Sequence, residues 1–485
     1  MTGRRHPIAR ADGRRAAVYP AIVLGCAVVG LGVGTLAVGH RNAMVALALG
    51  FIYVALFLWR PAVALLAFVA VRPLVDAYVF QDVRGVTLGV LWGIGMVASA
   101  AVFLLQESFD RRERLRLAVI PVVFLVALAA LTFTRPDYAA AVSGWTRVGS
   151  WVLLMLAGER IARDRHGQAM CWWAGLAMGG VLVLSAGVMV VQSRFGEAYY
   201  ADPLRQVAGQ MPHPLALGSV LLLPFALAGA LLVGRRALSL LVAAGLLATV
   251  ILSYVRTALI GAVVVLFALL VVTLRRTGPE RAIGLLVAVG VAVAAYVSRA
   301  GIAARFADLS TLTSTTSISR LPGLLALPSS SGVGGAGSGR VDIWRVAIQH
   351  TFDSVQHALI GRGAAASTRI MLEAFQLHSG AQNDFLDLVL AGGLLLGVFF
   401  LLLLAWMAAA PIRLLRDPGQ SYDAKTFAVL ALGGMIAFIV MSMLNGIAPY
   451  QTAVAAGLLV GLCRGMLQTP GGTFLDAHVA TPDDE

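Results

Sequence analysis

Arg256 lies in LSYVRTALIGAVVVL, between two apolar runs with almost no loop around it. A guanidinium at membrane depth is costly unless it snorkels to water or is paired. Arg256 is therefore either a boundary residue or the ligand of an anion in a dry cavity. Arg147, inside the apolar run AAVSGWTRVGSWVLLML, is either half of an ion pair within a bundle or a second contact for such an anion. Arg340 opens RVDIWRVAIQHTFDSVQ, with Trp344 one turn on. A guanidinium fork holds phosphate through two parallel hydrogen bonds and stays charged; a solvated loop arginine is the plain alternative. His378, in LEAFQLHSGAQNDFLDLVLAGGLLLG, is either a proton acceptor or donor near neutral pH or a satisfied surface histidine. Gln382, Asn383 and Asp384 follow it, the last two suited to cap a helix, and a helix start offers backbone N–H groups to an anion. His213 stands between two prolines in QMPHPLALGSVLLLPFALA, a boundary residue with at most a supporting role. His40, His350 and His357 show no partner pattern. No HxxxH with a carboxylate and no outer-loop DxD pair is present, so neither a metal nor another cofactor is expected. The chemistry on offer is fixed positive charge for an anion plus one group for moving a proton.

These residues must be positioned by membrane helices. Apolar residues make up 59% of the 485 and charged ones 13%, with a mean hydropathy of +0.85. A bilayer core of roughly 30 Å takes about 20 apolar residues per helix, and a spanning chain satisfies its own backbone most simply as helices. The fold class is an all-α, polytopic transmembrane bundle of about fourteen spans. They are read near 17–39, 43–59, 61–72, 86–106, 118–134, 139–158, 169–192, 213–233, 237–254, 257–274, 282–298, 384–410, 425–444 and 447–464. The third is short, bracketed by Pro61 and Pro73, and suits a half-buried or re-entrant segment. The chain divides into a basic cytoplasmic N-terminus (1–16), a bundle (17–298), a long loop (299–383), three C-terminal spans (384–464) and a disordered cytoplasmic tail (465–485).

Charge sets the expected orientation. The net charge of +13 is spread as short arginine clusters between spans, the positive-inside pattern, and no clustered basic domain speaks for nucleic acid. Placing the N-terminus inside puts its five arginines, Arg60, Arg111, Arg112, Arg114, Arg116, Arg160, Arg163, Arg165, Arg235, Arg236, Arg275, Arg276, Arg281, Arg413, Arg416, Lys425 and Arg464 on the cytoplasmic side. The short outer loops then hold only Arg41, Arg72, Arg84, Arg135 and Arg256, and both long connections, 193–212 and 299–383, fall outside. Cys26, Cys171 and Cys463 sit in apolar runs without metal or redox spacing. The run from about Ala16 to Gly39 is too long for a signal-peptide core and is kept as a first span.

Within the long loop, 309–339 is rich in Ser, Thr and Gly, the composition of a mobile segment. Beyond it, Val341, Trp344, Ile348, Phe352 and Val355 recur at helical spacing over 340–356, with Ser338 as N-cap. Residues 367–377 place Ile370, Met371, Leu372 and Phe375 on one face, the pattern of helices lying at a lipid–water interface.

Taken together, these segments resemble the O-antigen ligase and O-antigen polymerase family of membrane glycosyltransferases. The family's Ser-x-Arg-Thr-Ala-Leu at an outer helix end is similar to Ser253-Tyr254-Val255-Arg256-Thr257-Ala258-Leu259, with one extra residue before the arginine. Its Gly-Arg, Trp and Gly-x-Gly elements resemble Gly339-Arg340, Trp344 and Gly361-Arg362-Gly363, and its His/Asn approach to a Gly-rich span resembles His378 to Gly392-Gly393. Arg72–Asp76 (RPLVD) and Pro212–Ala216 (PHPLA) also resemble family segments. Many members place His directly before Asn; here Gln382 precedes Asn383 and the histidine lies upstream. The resemblance implies a metal-independent, inverting transfer in the cytoplasmic membrane, with the active site facing outside the cytoplasm. The donor would be a glycan on polyprenyl diphosphate and the acceptor a sugar on a glycan or glycolipid. Arg256 and Arg340, with Arg147, would hold the diphosphate and His378 would serve as base, with Asp384 as substitute. Trp344, Asn383, Asp384 and His213 would support them. Polymerase is preferred over ligase, and a lipid-linked oligosaccharide flippase or other transporter is the alternative class.

Overall fold

The computed structural model describes residues 40–77, 82–83, 86–106, 111–133, 137–194, 213–232, 236–253, 255–274, 340–375, 380–381, 383–445 and 453–469. Among them the architecture is all-α. The helices are α1 (His40–Trp59), α2 (Pro61–Ala70), α3 (Arg72–Ala77), α4 (Leu88–Gln106), α5 (Arg111–Thr132), α6 (Tyr138–Ile161), α7 (Arg165–Arg194) and α8 (His213–Leu232). There follow α9 (Arg236–Ser253), α10 (Arg256–Leu274), α11 (Arg340–Thr351), α12 (Val355–Ile360), α13 (Ala366–Phe375), α14 (Asp384–Arg416), α15 (Tyr422–Asn445) and α16 (Val454–Met466). A two-residue antiparallel hairpin pairs β1 (Asp82–Val83) with β2 (Val86–Thr87) ahead of α4. Among the described residues seven helices, α6 to α10, α14 and α15, are long and apolar enough to cross a membrane. The expected spans 17–39 and 282–298, the Ser/Thr/Gly-rich stretch 309–339, Ser338 and Cys26 lie outside the described residues.

Lipid tails are as apolar as leucine, so membrane helices associate by close packing and hydrogen bonds rather than by leaving water. α8 is the hub: it packs on α7, α9, α10 and α15, and Leu217, Val220, Leu221 and Ala228 are all fully buried. The tightest pair is α6 with α16. Gly457, Gly461 and Gly465 line one face of α16 at four-residue spacing, and a Cβ at Gly461 would stand 2.6 Å from the Met155 carbonyl. At the far end of this pair Glu159 accepts from Arg464 Nε at 2.5 Å and from Gln468 at 2.8 Å. The Arg464 guanidinium lies 3.8 Å over the Trp406 ring.

The short third span resolves into α2 and α3. Arg72, expected in an outer loop, is fully buried with its guanidinium 4.6 Å over Trp92. α5 begins at Arg111, so the basic cluster expected between spans is wound into a helix. Cys171 and Cys463 are buried.

α14 is not continuous. Gly392 (φ −129°) and Gly393 (φ 72°) leave helical geometry, freeing carbonyls of the preceding turn. Those carbonyls are taken by the loop: Arg362 N donates to Leu390 O at 2.8 Å and Gly363 N to Ala391 O at 2.9 Å. Gly361, at φ 72°, fits because a Cβ there would sit 2.5 Å from the Ala391 carbonyl carbon and oxygen. A similar close approach brings the Leu359 carbonyl onto Gly393. The Gly-Arg-Gly sequence is therefore a backbone clamp on a broken membrane helix.

Candidate functional site

Helices α11, α12 and α13 form a cap on the first half of α14. Its small core unites Ile343, Val346 and Ala347 of α11 with Ala366, Ile370 and Met371 of α13, plus Ala381 and Leu390. Two expectations change here. The buried face of α11 is the one bearing Ile343, Val346 and Ala347, and the helix stops at Thr351 rather than running to 356. Ser354 is extended and its hydroxyl accepts from His357 N at 3.1 Å, so a new helix starts there. The apolar face of α13 does not meet lipid, because Ile370 and Met371 are buried and Phe375 packs on the same core.

Three elements converge on Ala381, the described residue leading into α14. Its N–H donates to Asp387 Oδ1 at 2.7 Å and to Ser367 Oγ at 2.9 Å, while its carbonyl accepts from the Trp344 indole at 3.1 Å. Ser367 also donates to the Asp387 carboxylate. Gly380 packs directly against that carboxylate, where a side chain would not fit. Two residues on, Asn383 caps α14: its Oδ1 accepts from Leu386 N at 3.1 Å and its Nδ2 donates to Met443 O at 2.7 Å. Asp384 is 1% exposed and accepts from Ser442. The start of α14 is thus tied to the end of α15.

The starts of other helices gather at this end. A Cβ at Gly261, five residues into α10, would meet Met441 of α15 at 3.0 Å and Val220 of α8 at 3.1 Å. Hence α8 begins (His213), α10 begins (Arg256) and α14 begins (Asp384) at one level. Trp151 of α6 meets Phe438 of the antiparallel α15 edge-on at 5.8 Å; one turn outward along each helix come Arg147 and Ser442. Arg147 is half-buried. Arg340 is the first residue of α11, one turn before Trp344. Helix starts carry unpaired N–H groups and partial positive charge, so this end of the bundle suits an anion. Thr257, 2% exposed, has a buried hydroxyl with no hydrogen-bond partner among the described residues.

The structure therefore brings Trp344, Asn383 and Asp384 together around the approach to α14, with Arg147 at the same level. The side chains of Arg256, Arg340 and His213, and the whole of His378 and Gln382, lie outside the described residues. Asp387 and Ser367 were missed in the sequence; the only signal was a second acid three residues after Asp384. Among the described residues no three His, Cys, Asp or Glu side chains gather as a metal ion would require.

A second polar group lies at the cap's edge. Arg362 Nε donates to His350 O at 3.0 Å and the guanidinium pairs with Asp353, which also meets His357 Nδ1 at 2.7 Å. Burial holds the His350 imidazole below its usual value; Arg362 adds to this and Glu373 opposes it.

Fold and site define a polytopic helical membrane protein with a capped, anion-friendly end. Residues 239–401, from early in α9 to the middle of α14, match the model of the O-antigen ligase family, a glycosyltransferase-like family that acts on lipid-linked glycans and acceptor sugars. No curated protein matches the chain. The matched segment contains Arg256, Arg340, Trp344, His378, Asn383 and Asp384; Arg147 and His213 precede it.

Proposed function

We propose that this protein transfers or polymerises glycan repeat units from polyprenyl diphosphate onto an acceptor sugar, on the extracytoplasmic side of the cytoplasmic membrane, in cell-surface polysaccharide synthesis. One observation carries the reading: the family segment includes both arginines and the histidine, and the helices bearing its arginines start around the end where Asn383 and Asp384 are fixed. The acceptor hydroxyl attacks the anomeric carbon, the bond to the diphosphate breaks, and the configuration inverts. Negative charge grows on the departing diphosphate, and preorganised cations in a water-poor site stabilise it most. Arg256 and Arg340 supply that charge, with Arg147 as a third contact, in the place of a metal ion. His378 takes the hydroxyl proton. Asp384 is the lesser choice of base, because its carboxylate is 1% exposed and engaged by Ser442. Polymerase is preferred over ligase.

A transporter is the second reading, favoured by the break in α14, since transporters use broken helices at mid-membrane sites. Here, however, the freed carbonyls are closed by Arg362 and Gly363 amides and line no ion site.

Arg256→Ala and Arg340→Ala should each abolish glycan assembly at normal protein level, and wild-type output from both would overturn the diphosphate role. Deleting the protein should leave single lipid-linked repeat units if it polymerises and long unattached chains if it ligates. Labelled donor that crosses vesicles without being elongated would instead establish transport.

A further inference from the structure

The short helix α12 has no buried residue. Phe352, Val355, Leu359 and Ile360 are 59%, 76%, 55% and 42% exposed. Such a cluster of exposed apolar side chains marks a contact with something apolar. Its position says what. The Leu359 carbonyl lies against Gly393 and Gly361 against Ala391, so α12 is locked at the break in α14. Just past the break Leu395, Val398 and Leu402 are 46%, 51% and 48% exposed, the lipid-facing stripe of a spanning helix.

The break also fits a bilayer edge. At about 1.5 Å per residue, Gly393 to Arg416 reaches roughly 35 Å and crosses the hydrocarbon without the first half of α14. Asp384 nevertheless meets Ser442, which lies only about 30 Å along α15 from Tyr422. The first half of α14 therefore folds across the end of the bundle rather than continuing outward. The charges nearest α12 do not oppose lipid contact either: Asp353 is engaged by both His357 and Arg362.

We infer that α12 is an interfacial helix whose Val355, Leu359 and Ile360 side chains, with Phe352 just before it, insert into the headgroup–acyl boundary of the phospholipid leaflet on the cap's side, fixing the cap's height over the membrane. α12 is seated on α14 at the break, where the exposed stripe of α14 begins, and burial of an apolar face drives interfacial binding. This holds whatever reaction the site performs.

The test uses the full-length protein in phosphatidylcholine–phosphatidylglycerol liposomes, with p-benzoylphenylalanine at Val355 and, as the control, at Thr368 on the exposed side of α13. Irradiation should yield phospholipid adducts at position 355 and none at 368. Adducts to a second copy of the chain, or no adduct at 355, would overturn the proposal. Independently, a spin label at Leu359 should collide with dissolved oxygen in preference to a nickel chelate, and one at Thr368 the reverse. Equal chelate access at both sites would also overturn it.

Discussion

The α6–α16 face and the cap on α14 are both built on glycines, yet they are held by opposite means. On α16, glycines at four-residue spacing bring two backbones together and leave no room for polar side chains, apart from Glu159 with Arg464 at one end. In the cap, glycines let one backbone donate to carbonyls released by a broken helix, and Trp344, Ser367, Asp387 and Asn383 then tie side chain to backbone. The first arrangement is a permanent weld between spans. The second fixes one segment, the approach to α14, which under the proposed function borders the substrate.

The largest effect should come from the weld. Glu159→Ala strands Arg464, which is 8% exposed with its partner at 4%; breaking a buried pair costs about 3–5 kcal/mol. Thermal unfolding of the purified protein should show a large loss, with far less in the double change of Glu159 and Arg464 to Leu, since an apolar pair replaces a buried ion pair at little cost. Equal losses in both would mean that the pair contributes packing rather than charge compensation.

Gly361→Ala tests the cap. A left-handed conformation costs an ordinary residue about 1–2 kcal/mol, and here the new methyl also meets the Ala391 carbonyl at 2.5 Å. The cap should come off its seat: protease cleavage around 352–365 rises and glycan transfer falls about tenfold or more, while the unfolding midpoint of the bundle stays in place. A bundle destabilised as much as by Glu159→Ala would erase the distinction between the two regions.

How much of this was legible in the sequence follows the same division. The spans from α8 to α10 and the start of α14 were, because long apolar runs and a capping Asn383 are local signals. So was the start of α11 at Arg340. The break at Gly392-Gly393 was not, since a Gly pair in a Leu-rich run also suits helix packing, and what stabilises the break is Gly361-Arg362-Gly363, a segment remote in sequence. Glu159 and Arg464 lie 305 positions apart, and each reads alone as an ordinary span-end charge. Periodicity marked the α11 stripe through Val341, Trp344 and Ile348 and gave the α13 face to lipid; the structure buries Ile343, Val346 and Ala347 of α11 instead, turns α13 into the protein and leaves α12 outside. Asp387 was missed because its partners, Ser367 and Ala381, are set by the fold of the cap.

The smallest effect distinguishes the two regions by pH. Folding of the cap holds the His350 imidazole pKa below its ordinary value of 6.5, chiefly by burial and next by the Arg362 charge. The unfolded cap therefore takes up a proton that the folded one refuses. Linkage gives the sign: this contribution is fully present above the unfolded value and is lost as pH falls through 6.5 towards the depressed one. The loss is small, because the imidazole is only partly buried and solvent screens it. Protease sensitivity of the cap should rise as the medium is acidified below that value, and His350→Gln should flatten the rise without changing the unfolding of the bundle. An unchanged slope in the variant would locate the acid sensitivity elsewhere.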